Sequence, residues 1–181
     1  DVSMRESVTY VKEKQKVFVG NEVTRGGLMI VSTAPLLLVD EEEPDAVPEF
    51  LGSVDFILRY NSLVYKHLDK DDTRDLLVLV NQTFLEKAKF TKDPALLDEY
   101  YIDLDDDFID QEFSAAAASI DFKLLKKQGY VTDNNYFYTY KTIYDKNNNE
   151  VGMFLLGDAL EVVERVVKET SWGFVKLMII F

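Results

Sequence analysis

Apolar residues along the 181-residue chain follow two periods, and the elements change where the period changes. In FLGSVDFIL, residues 50–58, Val54, Phe56 and Leu58 alternate with Ser53, Asp55 and Ile57, which predicts a strand. In YFYTYKTIY, residues 136–144, strict period two places Tyr136, Tyr138, Tyr140 and Tyr144 on one strand face. DLLVLV, residues 75–80, is an unbroken apolar run bounded by polar residues and fits a buried central strand. The period then lengthens. DALEVVERVVKETSWGFVKLMIIF is a long helix with a stripe through Leu160, Val163, Val166 or Val167 and Phe174, and Asp158 suits its N-cap. Residues 93–127 read as mostly helical and acidic, with SAAAASIDFKLLKK as the best helix and Gly129 as its stop.

Turn chemistry fills the gaps. Residues 7–31 read as a helix end or strand followed by a strand pair, with turn residues around Asn21 and in Arg25-Gly26-Gly27. MIVSTAPLLLV is a further extended run, and Pro35 inside it predicts an edge or a bulge. DEEEPDAVPE, residues 40–49, is a solvated loop, and YNSLVYKHL is a short helix that Asn61 or Ser62 can cap. NQTFLEKAKF is expected to turn and return as the hairpin partner of DLLVLV. DKNNNE is a hairpin turn rich in residues that tolerate positive φ.

The same order of parts occurs twice. APLLLVDEEEPDAVPEFLGSVDFILRYNSLV and IYDKNNNEVGMFLLGDALEVV each run strand, polar loop, Gly-containing strand, helix. Gly52 and Gly152 hold matching points 100 residues apart. That period is too long for a solenoid. It predicts two copies of one α/β module with antiparallel sheets, the first lacking its opening strands; the bland alternative is two similar hairpins inside one α+β domain.

Composition narrows the function. The net charge of −13 and pI near 4.5 repel phosphate backbones, so no nucleic-acid partner is expected. There is no cysteine, hence no disulfide framework and no thiolate metal site. Asp103, Asp105 and Asp107 begin like a calcium loop, but Phe108 and Ser114 stand where Gly and a bidentate acid belong. Asp145, Asn147 and Asn149 fail likewise at Glu150 and Leu156. No metal or cofactor is expected. The single histidine, His67, has no partner serine motif, and neither G-x-G-x-x-G nor a phosphate loop occurs. A carboxylate-pair hydrolase stays open, yet 33 acidic residues single out no pair. The start at Asp1 implies a processed or longer N-terminus. GFVKLMIIF at the other end is either a buried helix end or the first turns of a membrane helix.

Taken together, RGGLMIVSTAPLLL, EFLGSVDFILRYNSL, DLLVLVNQTFLEKA and IDFKLLKKQGYVTDNNYFYTYKTIYDKNNNEVGMFLLG resemble the extracytoplasmic Cache (PAS-like) sensor region of bacterial methyl-accepting chemotaxis receptors. The resemblance runs from Val17 to about Val163. It implies an α+β fold with PAS-like antiparallel sheets and flanking helices, in two tandem modules with the first incomplete. Residues 1–70 would be the C-terminal half of a membrane-distal module and 71–158 the membrane-proximal module. Residues 159–181 would be an exit helix, meeting the membrane after Trp172. It further implies a noncatalytic, homodimeric receptor domain facing the periplasm from the inner membrane, with a small-molecule ligand such as an amino acid or carboxylate. A sensor region of a histidine kinase or diguanylate cyclase would look the same. A secreted acidic hydrolase and a cytoplasmic PAS-like module are the alternatives from other classes.

Within that frame the ligand contacts expected in the first module are Arg25, Asp55, Arg59 and Asn61. Arg25, beside two glycines, offers a guanidinium clamp for a carboxylate. Asp55, opposite in facing to Val54 and Phe56, offers an acceptor for an ammonium or hydroxyl. In the second module Tyr136, Tyr138 and Tyr140 would line a pocket with their hydroxyls at its rim. A structural ion pair, surface charge and ordinary strand packing are the competing roles for these residues.

Overall fold

The computed structural model describes residues 5–39, 47–68, 74–84, 86 and 95–180. Helix α1 (Glu6–Lys14) ends at Gln15, which takes the left-handed conformation at φ 49°. A three-stranded antiparallel meander follows: β1 (Phe18–Thr24), β2 (Gly27–Leu38) and β3 (Glu49–Arg59). Helix α2 (Tyr60–Leu68) begins on the residue after β3.

The second sheet holds six strands: β4 (Arg74–Asn81), β5 (Leu96–Leu97), β6 (Tyr100–Ile102), β7 (Tyr130–Thr132), β8 (Tyr136–Tyr144) and β9 (Glu150–Ala159). Their order across the sheet is β5-β6-β4-β9-β8-β7, with every pairing antiparallel. Helices α3 (Gln111–Ala117) and α4 (Phe122–Gln128) lie between β6 and β7 in sequence, and α5 (Leu160–Ile180) leaves β9 directly. Among the described residues no helix is long and apolar enough to cross a membrane.

Each element has a local cause. Leu77 to Val80 in β4 are fully buried because both neighbouring faces are covered, which is why the run is apolar without alternation. Asp110 and Asp121 accept the backbone N–H groups of Phe113 and Leu124, at 2.8 and 2.9 Å, and so start α3 and α4. Gly129 closes α4 in the left-handed conformation, as expected. Asn148 supplies the positive φ in the Asp145–Asn149 turn.

Three sequence expectations need correction. The 93–127 stretch is not mainly one helical region: it contains strands β5 and β6 and a 3-10 turn at Asp106–Phe108. SAAAASIDFKLLKK is two helices, because Asp121 caps a second start within it. Gln82–Phe84 of the segment after β4 form a 3-10 turn, and the antiparallel neighbours of β4 are β6 and β9. The rest of that segment, apart from Glu86, lies outside the described residues. Pro35 is tolerated inside β2, the middle strand, for a geometric reason. The pairing with β1 ends at Thr33, so Pro35 has no β1 residue opposite it, and a bulge follows at Leu36/Leu37.

The two long hairpins share this bulge. Leu36 pairs with Gly52 and Leu37 with Phe50, leaving Leu51 unpaired in the register. Ile143 pairs with Gly152 and Tyr144 with Glu150, leaving Val151 in the same role. Both outgoing strands then run straight into a helix, at Tyr60 and Leu160. Both meanders are preceded by a helix stopped by a left-handed residue, Gln15 or Gly129.

The core has three parts. One lies between the second sheet and α3/α4, including Leu77, Leu79, Phe113, Leu125, Tyr138, Met153 and Leu155. One lies in the seam between the sheets, where Leu28, Tyr60 and Val64 meet Val78, Val80, Tyr101, Ile143 and Val151. The smallest lies under α1 and joins Val11, Phe18 and Val31.

Candidate functional site

The register places Thr33 of β2 directly opposite Asp55 of β3, with Phe18 of β1 on the other side of Thr33. These residues share the sheet face that α1 covers. At the start of α1, Arg5 forms an ion pair with the Asp55 carboxylate, and both side chains are largely withdrawn from solvent, at 16% and 19% exposure. Beside them, Glu22 of β1 is buried and accepts the Ser7 backbone N–H at 2.6 Å and the Ser7 hydroxyl at 2.9 Å. Glu22 thereby satisfies donors of the first turn of α1.

Three polar atoms in this cluster are buried without a hydrogen-bond partner: Nε of Arg5, Oδ1 of Asp55 and Oγ1 of Thr33. Thr33 is wholly buried. Buried polar atoms are nearly always paired, so three neighbouring orphans are met by ordered water or by a small polar ligand. The atoms offer a donor, an acceptor and a hydroxyl that serves as either. Together they can hold a small polar molecule that donates to Asp55 and accepts from Arg5. Asp55 was legible as the acidic residue in an alternating strand. Arg5 and Thr33 were not singled out by the sequence; the only signal was a hydroxyl residue inside an apolar run, and nothing linked Arg5 to a residue 50 positions away.

The other expected contacts lie elsewhere. Arg25 is exposed at the turn between β1 and β2. Arg59, at the end of β3, reaches Asp105 at 3.4 Å with both groups about half exposed. Asn61, in the first turn of α2, is buried, and both atoms of its amide lack partners. Tyr136, Tyr138 and Tyr140 do share one face of β8, but α3 and α4 fill it. Phe113 sits edge-on to Tyr136 at 5.2 Å and stacks on Tyr138 at 5.7 Å. The Tyr138 hydroxyl donates to Asp133 at 2.6 Å and the Tyr140 hydroxyl to the Lys126 carbonyl at 3.2 Å. Tyr144 lies beyond the bulge and is exposed.

One further acidic group stands near this face. Burial, helped by the charges of Asp110 and Glu112, pushes the Asp75 carboxyl up to about 6. Asp133 is the reverse case. Burial opposes its ionisation, but hydrogen bonds from Tyr138, Asn135 and Tyr136 outweigh it and hold the carboxyl below the ordinary range.

No protein-family model, curated protein or solved structure matches this chain.

Proposed function

We propose that the chain is the ligand-sensing, noncatalytic region of a bacterial transmembrane receptor of the chemotaxis type, built from two tandem PAS-like Cache modules and facing the periplasm. The single observation that carries the doubling is the matched bulge, at Leu51 and Val151, in hairpins that each lead without a loop into a helix. Bulges bend a strand at one defined point, so their coincidence in two hairpins is more specific than a shared strand count. The second sheet, with the first strand of its unit at the centre beside the last, is compatible with a PAS-like sheet.

In this reading the ligand binds under α1, on Arg5, Thr33 and Asp55. The matching positions of the second module are apolar or aromatic: Tyr140 pairs with Leu155 where Thr33 pairs with Asp55. The first module therefore senses and the second transmits. Ligand binding can shift a conformational equilibrium only through differential affinity for its states. Closure of α1 over the ligand would pull on β2 and β3, and from there on the seam and β9. Helix α5 starts on the residue after β9 and carries the displacement toward the membrane. The receptor would act as a homodimer.

A thermal-shift screen of amino acids and small carboxylates tests this function. One ligand class should raise the melting temperature by mass action. Thr33→Val and Asp55→Asn should abolish the rise. No response to any ligand, or a response indifferent to both variants, overturns the reading.

A further inference from the structure

The seam between the two sheets holds a buried carboxylate, and its position is set by backbone contacts on both sides. Asp103 follows β6. Its own N–H donates to the Val78 carbonyl of β4 at 2.8 Å, which fixes it to the second sheet. Its side chain crosses the seam and accepts the Leu28 N–H of β2 at 2.5 Å. Only 6% of the residue is exposed. Gly27 takes φ 93°, and a Cβ there would collide with the Asp103 carboxylate. The close approach thus depends on the missing side chain. Elsewhere the seam is the apolar cluster around Leu28, Tyr60, Val78, Val80, Ile143 and Val151, with two side-chain hydrogen bonds through Asn21 at its edge. The Tyr60 hydroxyl donates to Oδ1 of Asn21 at 2.6 Å, and Nδ2 of Asn21 donates to the Tyr144 carbonyl at 2.8 Å.

We propose that Asp103 is a proton-operated latch between the two sheets, holding them together when protonated and easing their separation when ionised.

The charged and titratable groups around it, among the described residues, are few. Arg59 at the end of β3 favours the ionised form, and Asp105 in the following loop opposes it. Tyr101 on β6 faces the same charge, and burial together with Asp103 pushes its hydroxyl well above the ordinary range. From β2 the facing groups are the backbone of Gly27 and Leu28, which carry no charge; Arg25 in the preceding turn is exposed. Burial dominates, and it outweighs both the Leu28 hydrogen bond and Arg59, so the carboxyl rises from 3.8 to about 6.

The sign follows from linkage. A carboxyl that binds its proton more tightly in the closed seam than in water favours closure at low pH. That preference fades as the pH rises from the ordinary carboxyl value, and it is fully lost above about 6. A rise of about two units corresponds to roughly a hundredfold change in the closed-to-open equilibrium. The two modules of the chain are thereby coupled by pH independently of any ligand under α1.

Amide hydrogen exchange at Leu28, corrected for the intrinsic pH dependence of exchange, reads the opening directly. From about pH 5 to about pH 7.5 its protection should fall by roughly tenfold in the parent protein, the remainder of the hundredfold lying below pH 5. In Asp103→Asn, whose amide oxygen still accepts from Leu28, protection should be flat. The chain has no cysteine, so Leu36→Cys and Leu124→Cys can carry spin labels on the two sides of the seam. Their distance distribution should broaden with pH in the otherwise native sequence. Flat protection in the parent protein overturns the latch whether or not the Asn variant folds. An unchanged pH dependence in a folded Asp103→Asn overturns it too.

Discussion

The hairpin β2–β3 and the hairpin β8–β9 have the same bulge, the same exit into a helix and the same helix stop before them, yet they bury opposite chemistry. In the second, Tyr138, Tyr140 and Leu155 pack with Phe113 and Leu125 into the largest cluster of the core. In the first, the positions opposite one another are Thr33 and Asp55, held by Arg5, and the apolar cluster there reduces to Val11, Phe18 and Val31. The other face differs as well. The second sheet is covered on both sides, whereas Val19, Leu36, Val54 and Phe56 of the first are exposed. One backbone plan thus carries a packed core in one place and, in the other, a buried polar cluster on one face with exposed apolar residues on the opposite face. Stability should reside mainly in the second sheet and binding in the first.

The pair of glycines gives the sharpest contrast. At Gly152 an added Cβ would overlap the backbone carbonyl of Leu79 on the neighbouring strand, which cannot move without breaking the sheet. Gly152→Ala should cost more than about 3 kcal/mol, measured by urea unfolding. At Gly52 no atom lies within 4 Å of the added Cβ. Gly52→Ala should stay within about 0.5 kcal/mol of the parent and tend to stabilise it, by restricting the unfolded chain. Equal costs would break the comparison between the hairpins.

Next in size is the Arg5–Asp55 pair. Asp55→Leu copies the residue at the matching position of β9. It should lose about 2 kcal/mol, because the guanidinium of Arg5 is then buried without its counter-charge. Arg5→Met combined with Asp55→Leu should recover most of that loss in the same unfolding assay. If the double variant is no better than Asp55→Leu, the pair is not what constrains this face.

The two buried-side aspartates separate the sheets in another way. Asp55 faces a guanidinium; Asp75 of β4 faces the carboxylates Asp110 and Glu112. Because the Asp75 carboxyl is raised to about 6, its penalty is absent below the unfolded value of 3.8 and grows as the pH climbs through that interval. Asp75→Asn should therefore match the parent protein near pH 4 and exceed it by about 1 kcal/mol at pH 8, after allowance for solvent screening of a half-buried group. A pH-independent difference would show that ionisation of Asp75 carries no cost.

What the sequence revealed follows the reach of each signal. Local signals were dependable: alternation exposed β3 and β8, Asn-rich chemistry the 145–149 turn, and Gly129 the end of α4. The strands β5 and β6 are two and three residues long, too short to carry a period. The break between α3 and α4 hid in an Ala-rich run because a single Asp121 makes it. The echo of Gly52 and Gly152 was visible in the order of parts, but the shared bulge was not, since a bulge is a property of pairing rather than of one strand. The site was half legible for the same reason. Asp55 stood out within its own strand, while Arg5 and Thr33 become its neighbours only through the sheet register and the packing of α1.

The two helix stops give the smallest effect. Gln15 ends α1 in the left-handed conformation, where a side chain costs roughly 1 kcal/mol and glycine costs nothing. Gln15→Gly would relieve that strain. It would also remove the bond from Nε2 of Gln15 to the Pro48 carbonyl, 3.0 Å long and partly buried, which ties the helix end to the start of β3. A bond of that kind contributes about 1 kcal/mol. The two terms oppose each other, so the net change should lie within about 0.5 kcal/mol. At Gly129 no such compensation exists: a Cβ there meets no atom within 4 Å, and φ is 87°. Gly129→Gln should therefore cost about 1 kcal/mol from backbone strain alone. Unfolding curves for the two reciprocal variants decide it. A clear gain from Gln15→Gly would show that the Pro48 bond contributes nothing, and that the α1 stop is merely an imperfect version of the α4 stop.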